Sequence, residues 1–519
     1  MLLLGGCGLL PVPGAGPELN PPPTPGSPPS SATPVSSPSP AETPALATLY
    51  GNGHDDNHGG AKFEIVGLER VSATSVAARF RISPGSREVR LGNFHDSGLA
   101  GNTVYGKWLT VFSGFYLLDH SRLAAYYPMR KEDTDTGATC LCSYIERATL
   151  TREEPALLWA VYQVPPETTG VAVGFHHAGL TATLPISLAG TGVKLDGEPD
   201  AAAADAAFPT TVTLATRLAD PAASVAESDD QVEIALNTDV LFDFDKATLT
   251  PKARETLRRT ADRISAEARG TVQIVGHTDD VGEDGYNLAL SLRRAKAVER
   301  SLAALVPDAA FRTEGKGETE PAAEGSSDQT RARNRRVQVV FERAATPGPG
   351  PTPAAVPKET SDTPAGEATA TPGTAVASAT GLRELTGLTA DLLELRRISD
   401  KALIATVGFE HTGDGAPVRL EEGALDQDDD EIGSMVGSNV DFFWLTLTGA
   451  NATRYLPLTN AGNPHVLKRC VCSTTTRTTI GPGERIRMFV LMTAPPAGVT
   501  SVDVNLFGFT PMKGVPFSG

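Results

Sequence analysis

The two ends of this chain are copies of one another. Residues 126–129, 140–143, 164–175 and 184–187 read YYPM, CLCS, VPPETTGVAVGF and LPIS. Residues 455–458, 470–473, 494–509 and 515–518 answer with YLPL, CVCS, APPAGVTSVDVNLFGF and VPFS. Cys142 to Pro165 and Cys472 to Pro495 are the same distance apart. Such a repeat places one fold at both ends of the chain, and what lies between is a separate unit.

Both copies alternate apolar and polar residues in short runs, as in VSATSVAARFRIS (71–83) and RIRMFVLMTA (485–494), broken by Gly and Pro. That alternation predicts small antiparallel, immunoglobulin-like β-sandwiches. The chain's 40 prolines and 51 glycines are too many for uniform packing, so linkers are expected. Composition divides it into a leader at 1–7, a Pro/Ser-rich spacer at 8–47 and sandwich repeat 1 at 48–192. An Ala/Asp-rich linker at 193–228, a middle unit at 229–343, a Pro/Thr/Ala-rich linker at 344–382 and sandwich repeat 2 at 383–519 follow. The net charge of −17 argues against nucleic acid as a general partner. No apolar run reaches the ~18–20 residues a spanning helix needs.

In the middle unit the hydrophobic period changes. VEIALN opens a strand, and Thr250 with Pro251 can begin a helix with Leu257, Ala261, Ile264 and Ala268 on one face. TVQIVGH is a second strand. Leu288, Ala295, Val298, Leu302 and Leu305 give a second helix its stripe, and RRVQVVFE (335–342) is a closing strand. The order β-α-β-α-β predicts an α/β sandwich flanked by the two all-β repeats.

Within that unit VLFDFDKATLTP, VGHTDDVG, YNLALSLRRAKAV, EGKGETEP and RARNRRV stand in the order and spacing of the OmpA-like peptidoglycan-binding family, which residues 231–343 resemble. Thr330 stands where the family usually has Gly, and Lys316 where an apolar residue is commoner. The resemblance implies noncovalent binding of the peptidoglycan stem peptide through diaminopimelate. It maps the ligand-gripping Asp to Asp279 and the gripping Arg to Arg294. The chemistry is apt: diaminopimelate ends in an ammonium and a carboxylate on one carbon. An Asp takes the first, and the planar fork of an Arg takes the second. Asp243 and Asp245, at the end of the first strand, and Thr278, Asn287, Arg331 and Asn334 are secondary candidates, for each of which capping, loop closure or strand entry is an equal alternative.

No metal site, cofactor or catalytic set is expected. HDDNH (54–58) sits in a Gly-rich stretch, and DQDDDE (426–431) has Glu431 where a calcium loop needs Gly. The repeats carry Cys140 with Cys142 and Cys470 with Cys472. Bonding within each pair is the simplest arrangement, with free thiols or a bond between repeats as alternatives. A flat strand holds residues i and i+2 at ~6.6 Å, so a local bond needs a bulge or turn. MLLLGGC resembles the end of a bacterial lipoprotein signal, shortened at its start, which implies lipid attachment at Cys7. The expectation is a non-catalytic envelope protein, outside the cytoplasm, anchored to a membrane through Cys7 and bound to the cell wall. The alternative is a wall-localised scaffold whose repeats bind a protein partner, and less favoured is a secreted hydrolase.

Overall fold

In the computed structural model the described residues are 43–51, 61–84, 89–90, 112, 114–131, 139–143, 149–150, 155–188, 194–323, 325–343, 375–420, 440–441, 445–461, 470–475 and 479–517. Cys7, HDDNH and DQDDDE lie outside them. Among the described residues no helix is long and apolar enough to cross a membrane.

Repeat 1 supplies β1 (Ala47–Tyr50), β2 (Lys62–Arg70), β3 (Ser75–Ser83), β4 (Phe115–Asp119), β5 (Ala124–Arg130), β6 (Ala156–Gln163), β7 (Gly170–Phe175) and β8 (Leu184–Pro185). One antiparallel sheet runs β1-β2-β3-β6, and a second runs β5-β4-β7-β8. Phe63, Phe80, Phe115 and Phe175 fill the space between them, with Phe115 and Phe175 stacked at 4.5 Å.

The middle segment begins with α1 (Ala201–Asp205) and continues through β9 (Phe208–Ala219), β10 (Ala223–Glu227) and β11 (Gln231–Asn237). Then come α2 (Thr238–Leu241), α3 (Ala253–Glu267), β12 (Ala268–His277), α4 (Asp284–Leu305), β13 (Ala310–Gly317), α5 (Asp328–Asn334) and β14 (Arg336–Arg343). The sheet order is β13-β12-β14-β11, with β13 parallel to β12 and the other pairs antiparallel. Leu257, Ala261 and Ile264 of α3 and Ala295, Val298 and Leu302 of α4 pack on it.

Repeat 2 consists of β15 (Ala377–Thr380), β16 (Leu388–Arg397), β17 (Ala402–His411), β18 (Leu445–Thr448), β19 (Arg454–Asn460), β20 (Arg485–Thr493), β21 (Ser501–Leu506) and β22 (Met512–Pro516). It pairs them as repeat 1 does: β15-β16-β17-β20 and β19-β18-β21-β22. Leu123 and Ala452, seven residues ahead of the matched Arg130 and Thr459, both have positive φ, 50° and 57°. In each copy a Cys-x-Cys tripeptide passes from one strand to the next. Cys140 bridges Arg130 and Cys142 bridges Ala160, as Cys470 bridges Thr459 and Cys472 bridges Val490. This bend lets the disulfides Cys140–Cys142 and Cys470–Cys472 form locally, each with a Cα separation of 5.3 Å.

Four expectations need correction. Residues 193–228 are not a linker throughout, because β9 joins everything else. Its first half pairs with β5 of repeat 1, and its second half lies between β19 of repeat 2 and β10. The Ala-rich composition concealed a β-branched run, Thr210 to Thr213, whose partners are all distant. One ladder therefore runs from β13 through β12, β14, β11, β10 and β9 into repeat 2. The second correction adds β13 and α5 to the β-α-β-α-β order; AFRTEGKG is an edge strand, with charged residues on its solvent side. Third, β15 lies inside the expected 344–382 linker; fourth, Leu288 and Leu305 are exposed instead of sharing the buried stripe of α4.

Candidate functional site

Where the stripe of α4 should have been apolar it is polar. Asn287, Ser291 and Arg294 are buried on the same side as Ala295, Val298 and Leu302. The helix can come this close because the strands beneath it present glycines. A Cβ on Gly276 would stand 2.1 Å from the Ser291 carbonyl oxygen, and one on Gly315 would stand 2.5 Å from the Leu292 nitrogen. The first turns of α4 thus lie directly over the end of β12, where Thr278 and Asp279 leave the sheet. α2 and the start of β14 complete the surroundings.

Asp279 and Arg294 feel each other's charge but form no ion pair. The Asp279 carboxylate accepts from Arg335 Nη1 at 2.7 Å and from the Val281 amide at 3.3 Å. Arg335 also forks Asp239, Nε to Oδ1 at 2.9 Å and Nη2 to Oδ2 at 2.7 Å. The Asp239 hydrogen bond above all, with Asp279 behind it, raises Arg335 above the usual guanidinium range against its own desolvation.

Arg294 is the opposite case. It is 5% exposed, its Nε donates to the Lys246 carbonyl at 3.0 Å, and its guanidinium carbon lies 5.6 Å from the centre of the Phe242 ring. Among the described residues no carboxylate forms an ion pair with it. Burial lowers its pKa, and the more distant charges of Asp239, Asp245 and Asp279 only partly offset that. A desolvated cation with a weakly compensated charge favours an incoming anion.

The secondary candidates spread around this centre. Asp245 has φ of 58° and accepts from the Tyr286 hydroxyl at 2.7 Å, while Asp243 is exposed beside Lys246. Both lie in the loop after α2, not at the end of a strand. Asn287 ties the acidic loop, donating to the Val281 carbonyl at 3.2 Å and to Glu318 at 2.8 Å. Arg331 pairs with Asp280 at 2.7 Å on the rim. Asn334 accepts from the amides of Ala322 and Ala323, closing that loop. The Thr278 hydroxyl is buried with no hydrogen-bond partner among the described residues. Thr330 lies in the first turn of α5, where its amide donates to the hydroxyl of the N-cap, Ser327. Lys316 pairs with Glu314 and Glu320.

Two residues escaped the sequence reading, Arg335 and Asp239. They are 96 residues apart, and only the return of the chain from α5 into β14 brings them together. Behind the site His277 is buried, with Nε2 2.7 Å from Gln338 Oε1. Burial, reinforced by the nearby Arg336, pushes its pKa down to about 3.

The OmpA family model matches residues 241–335. Outer membrane protein A of Bordetella avium is 40% identical over 109 residues, 21% of this chain and 56% of that protein. Peptidoglycan-binding protein ArfA of Mycobacterium tuberculosis is 39% identical over 102 residues, 20% of this chain and 31% of its own length. YfiB of Escherichia coli K12 is 34% identical over 117 residues, 22% of this chain and 73% of that protein. The chain spans about half, or a third, of the first two relatives. All three matches cover only about a fifth of this chain.

Proposed function

Because this chain belongs to the OmpA family, we propose that residues 229–343 bind peptidoglycan noncovalently and without catalysis. The grip falls on the free amino-acid centre of diaminopimelate in the stem peptide. Arg294 takes the carboxylate and Asp279 the ammonium. The observation that carries this reading is the buried Arg294 guanidinium, which has no carboxylate partner among the described residues and lies beside an Asp held in place by another Arg. Of the two arginines only Arg294 is free for a ligand anion, since Arg335 is already forked to Asp239 and bonded to Asp279. Thr278 and the Asp245–Tyr286 pair line the approach.

The setting is the cell envelope, with a lipid on Cys7 as the membrane tether. The flanking repeats are immunoglobulin-like sandwiches in this reading, supported by their matching two-sheet pairing. They serve as a platform for a protein partner, and their shared ladder with the binding domain favours one rigid unit. Co-sedimentation of the full chain with sacculi tests the ligand. Walls containing diaminopimelate should pellet the chain, and free diaminopimelate should release it. Walls with lysine at that position offer an ammonium but no carboxylate and should bind poorly. Equal binding to both wall types would overturn the assignment of Arg294.

A further inference from the structure

The repeat allows one face to be compared with its own counterpart. Matching the Pro128–Tyr162 pair with Pro457–Met492 aligns Trp159 with Phe489, Val161 with Leu491 and Ala77 with Ile404. The Cys-x-Cys bridges align Leu141 with Val471 and Met129 with Leu458. In both repeats these five positions turn away from the repeat's own core, out of the sheet containing β3 and β6, or β17 and β20. What covers them differs. In repeat 2 all five join the apolar core of repeat 1, so this face is how one sandwich holds the other. In repeat 1 the same face is covered by Leu195, Ala204 and Ala207.

The covering segment is latched by polar contacts that have no counterpart among the described residues of repeat 2. Arg79, 3% exposed, donates from Nε and Nη2 to Glu198 at 2.8 and 2.6 Å, and from Nη1 to Glu69 at 2.7 Å. The Glu198 side chain is fully buried. Trp159 Nε1 donates to the Asp196 carbonyl at 3.1 Å, and the Ser72 hydroxyl donates to Asp205. The counterpart of Arg79 in repeat 2 is Thr406, opposite Phe489 as Arg79 is opposite Trp159.

The other end of the pair is closed by polarity. Repeat 1 offers repeat 2 an apolar face with Tyr116 packed over Gly174, and His176 Nδ1 reaches the Cys472 carbonyl at 2.8 Å. The positions matching Tyr116, Gly174 and Ala172 in repeat 2 are Thr446, Asn505 and Asp503. There Asn505 bonds Thr448 and Asp503 pairs with Lys513, both at 2.9 Å. A head-to-tail contact that does not close can continue indefinitely; here it stops after two sandwiches.

We propose that residues 194–207 are an end cap, that the face beneath them is a protein-docking surface, and that the partner they exclude is a second copy of this chain. The matched face of repeat 2 already holds a sandwich of this chain, which is what points to such an occupant. Each copy's Tyr116 face is covered by its own repeat 2, so uncapped copies meet Trp159 face to Trp159 face, about a two-fold axis. The proposal is independent of the peptidoglycan site.

The test uses the full chain carrying Leu195→Glu and Ala204→Glu, which put carboxylates against the apolar face, and separately Glu198→Ala, which removes the latch. Release of the segment is read by proteolytic nicking within 194–207, folding by circular dichroism, and association by sedimentation equilibrium. The uncapped chain should show a concentration-dependent mass rising about twofold over wild type, the step expected of an isologous pair. Adding Trp159→Glu, or a synthetic 194–207 peptide, should return the mass to the wild-type value. A folded, nicked variant that keeps the wild-type mass overturns the proposal, as does association that Trp159→Glu leaves intact. Should both variants unfold, the segment is part of the core and not a cap.

Discussion

Arg335 holds Asp279 at 2.7 Å, and that bond, not one to Arg294, is what positions the acid at the candidate site. One guanidinium is occupied as a brace while the other stays available. Removing the brace should therefore weaken binding without touching the ligand. Arg335→Met is expected to lower affinity for diaminopimelate sacculi about tenfold, roughly 1.4 kcal/mol, through a displaced Asp279. The unfolding midpoint should change little, since partly exposed pairs contribute ~1 kcal/mol or less. Unchanged affinity would leave Arg335 with no positioning role.

Arg294→Ala and Asp279→Ala should each cost roughly 2–5 kcal/mol of binding, because each leaves a ligand charge desolvated and unpaired. Arg294→Lys should bind poorly as well, since a point charge does not reproduce the fork. Arg293→Ala is the milder comparison: its guanidinium lies 5.7 Å from the centre of the exposed Tyr286 ring, so it touches the rim of the approach and not the grip, and its loss should matter less. Sacculus pelleting measures all four, and wild-type binding by both alanine variants would move the site elsewhere.

Gly276→Ala asks whether close packing of helix on strand builds the site. Its Cβ would meet the Ser291 carbonyl oxygen at 2.1 Å, and backbone cannot rotate away as a side chain can. A loss of about 1–3 kcal/mol in stability is expected from overpacking, with a larger proportional loss of binding as Arg294 shifts with α4. A urea melt and a pelleting assay on the same sample separate the two effects.

Acid should destabilise the central domain through His277. Folded, the ring takes no proton until about pH 3; unfolded, it does so near its ordinary value of 6.5. Below pH 6.5 the unfolded state binds the extra proton, so stability falls as pH drops from there toward 3 and is constant above. The slope from this one group approaches 1.4 kcal/mol per pH unit. Between pH 7.5 and 4.5 the urea midpoint of wild type should fall further than that of His277→Gln, which has no such group to protonate. Parallel curves would show that His277 does not titrate in this way.

What could be read from the sequence was whatever local pattern decides. Asp279 and Arg294 stand in contiguous motifs, and the paired cysteines repeat at fixed intervals. Arg335 was invisible because its partners, Asp239 and Asp279, lie 96 and 56 residues away. β9 was hidden for a related reason: Thr210 to Thr213 form a strand only because β5 offers an edge. Leu288 looked like core from its spacing, but the buried side of α4 begins with Asn287, Ser291 and Arg294. A stripe that turns polar where it meets the strand ends is a signal that counting apolar residues discards.

The strand β9 also settles how a pull would travel. Tension applied at the proposed ligand site would reach β14 and β11, then cross β10 and β9 into β19. No flexible tether intervenes along that route to stretch first. Were the chain fastened to the wall as proposed, the flanking pair would be strained together with it. In that reading the sheet itself sets the angle at which the two sandwiches stand to the wall.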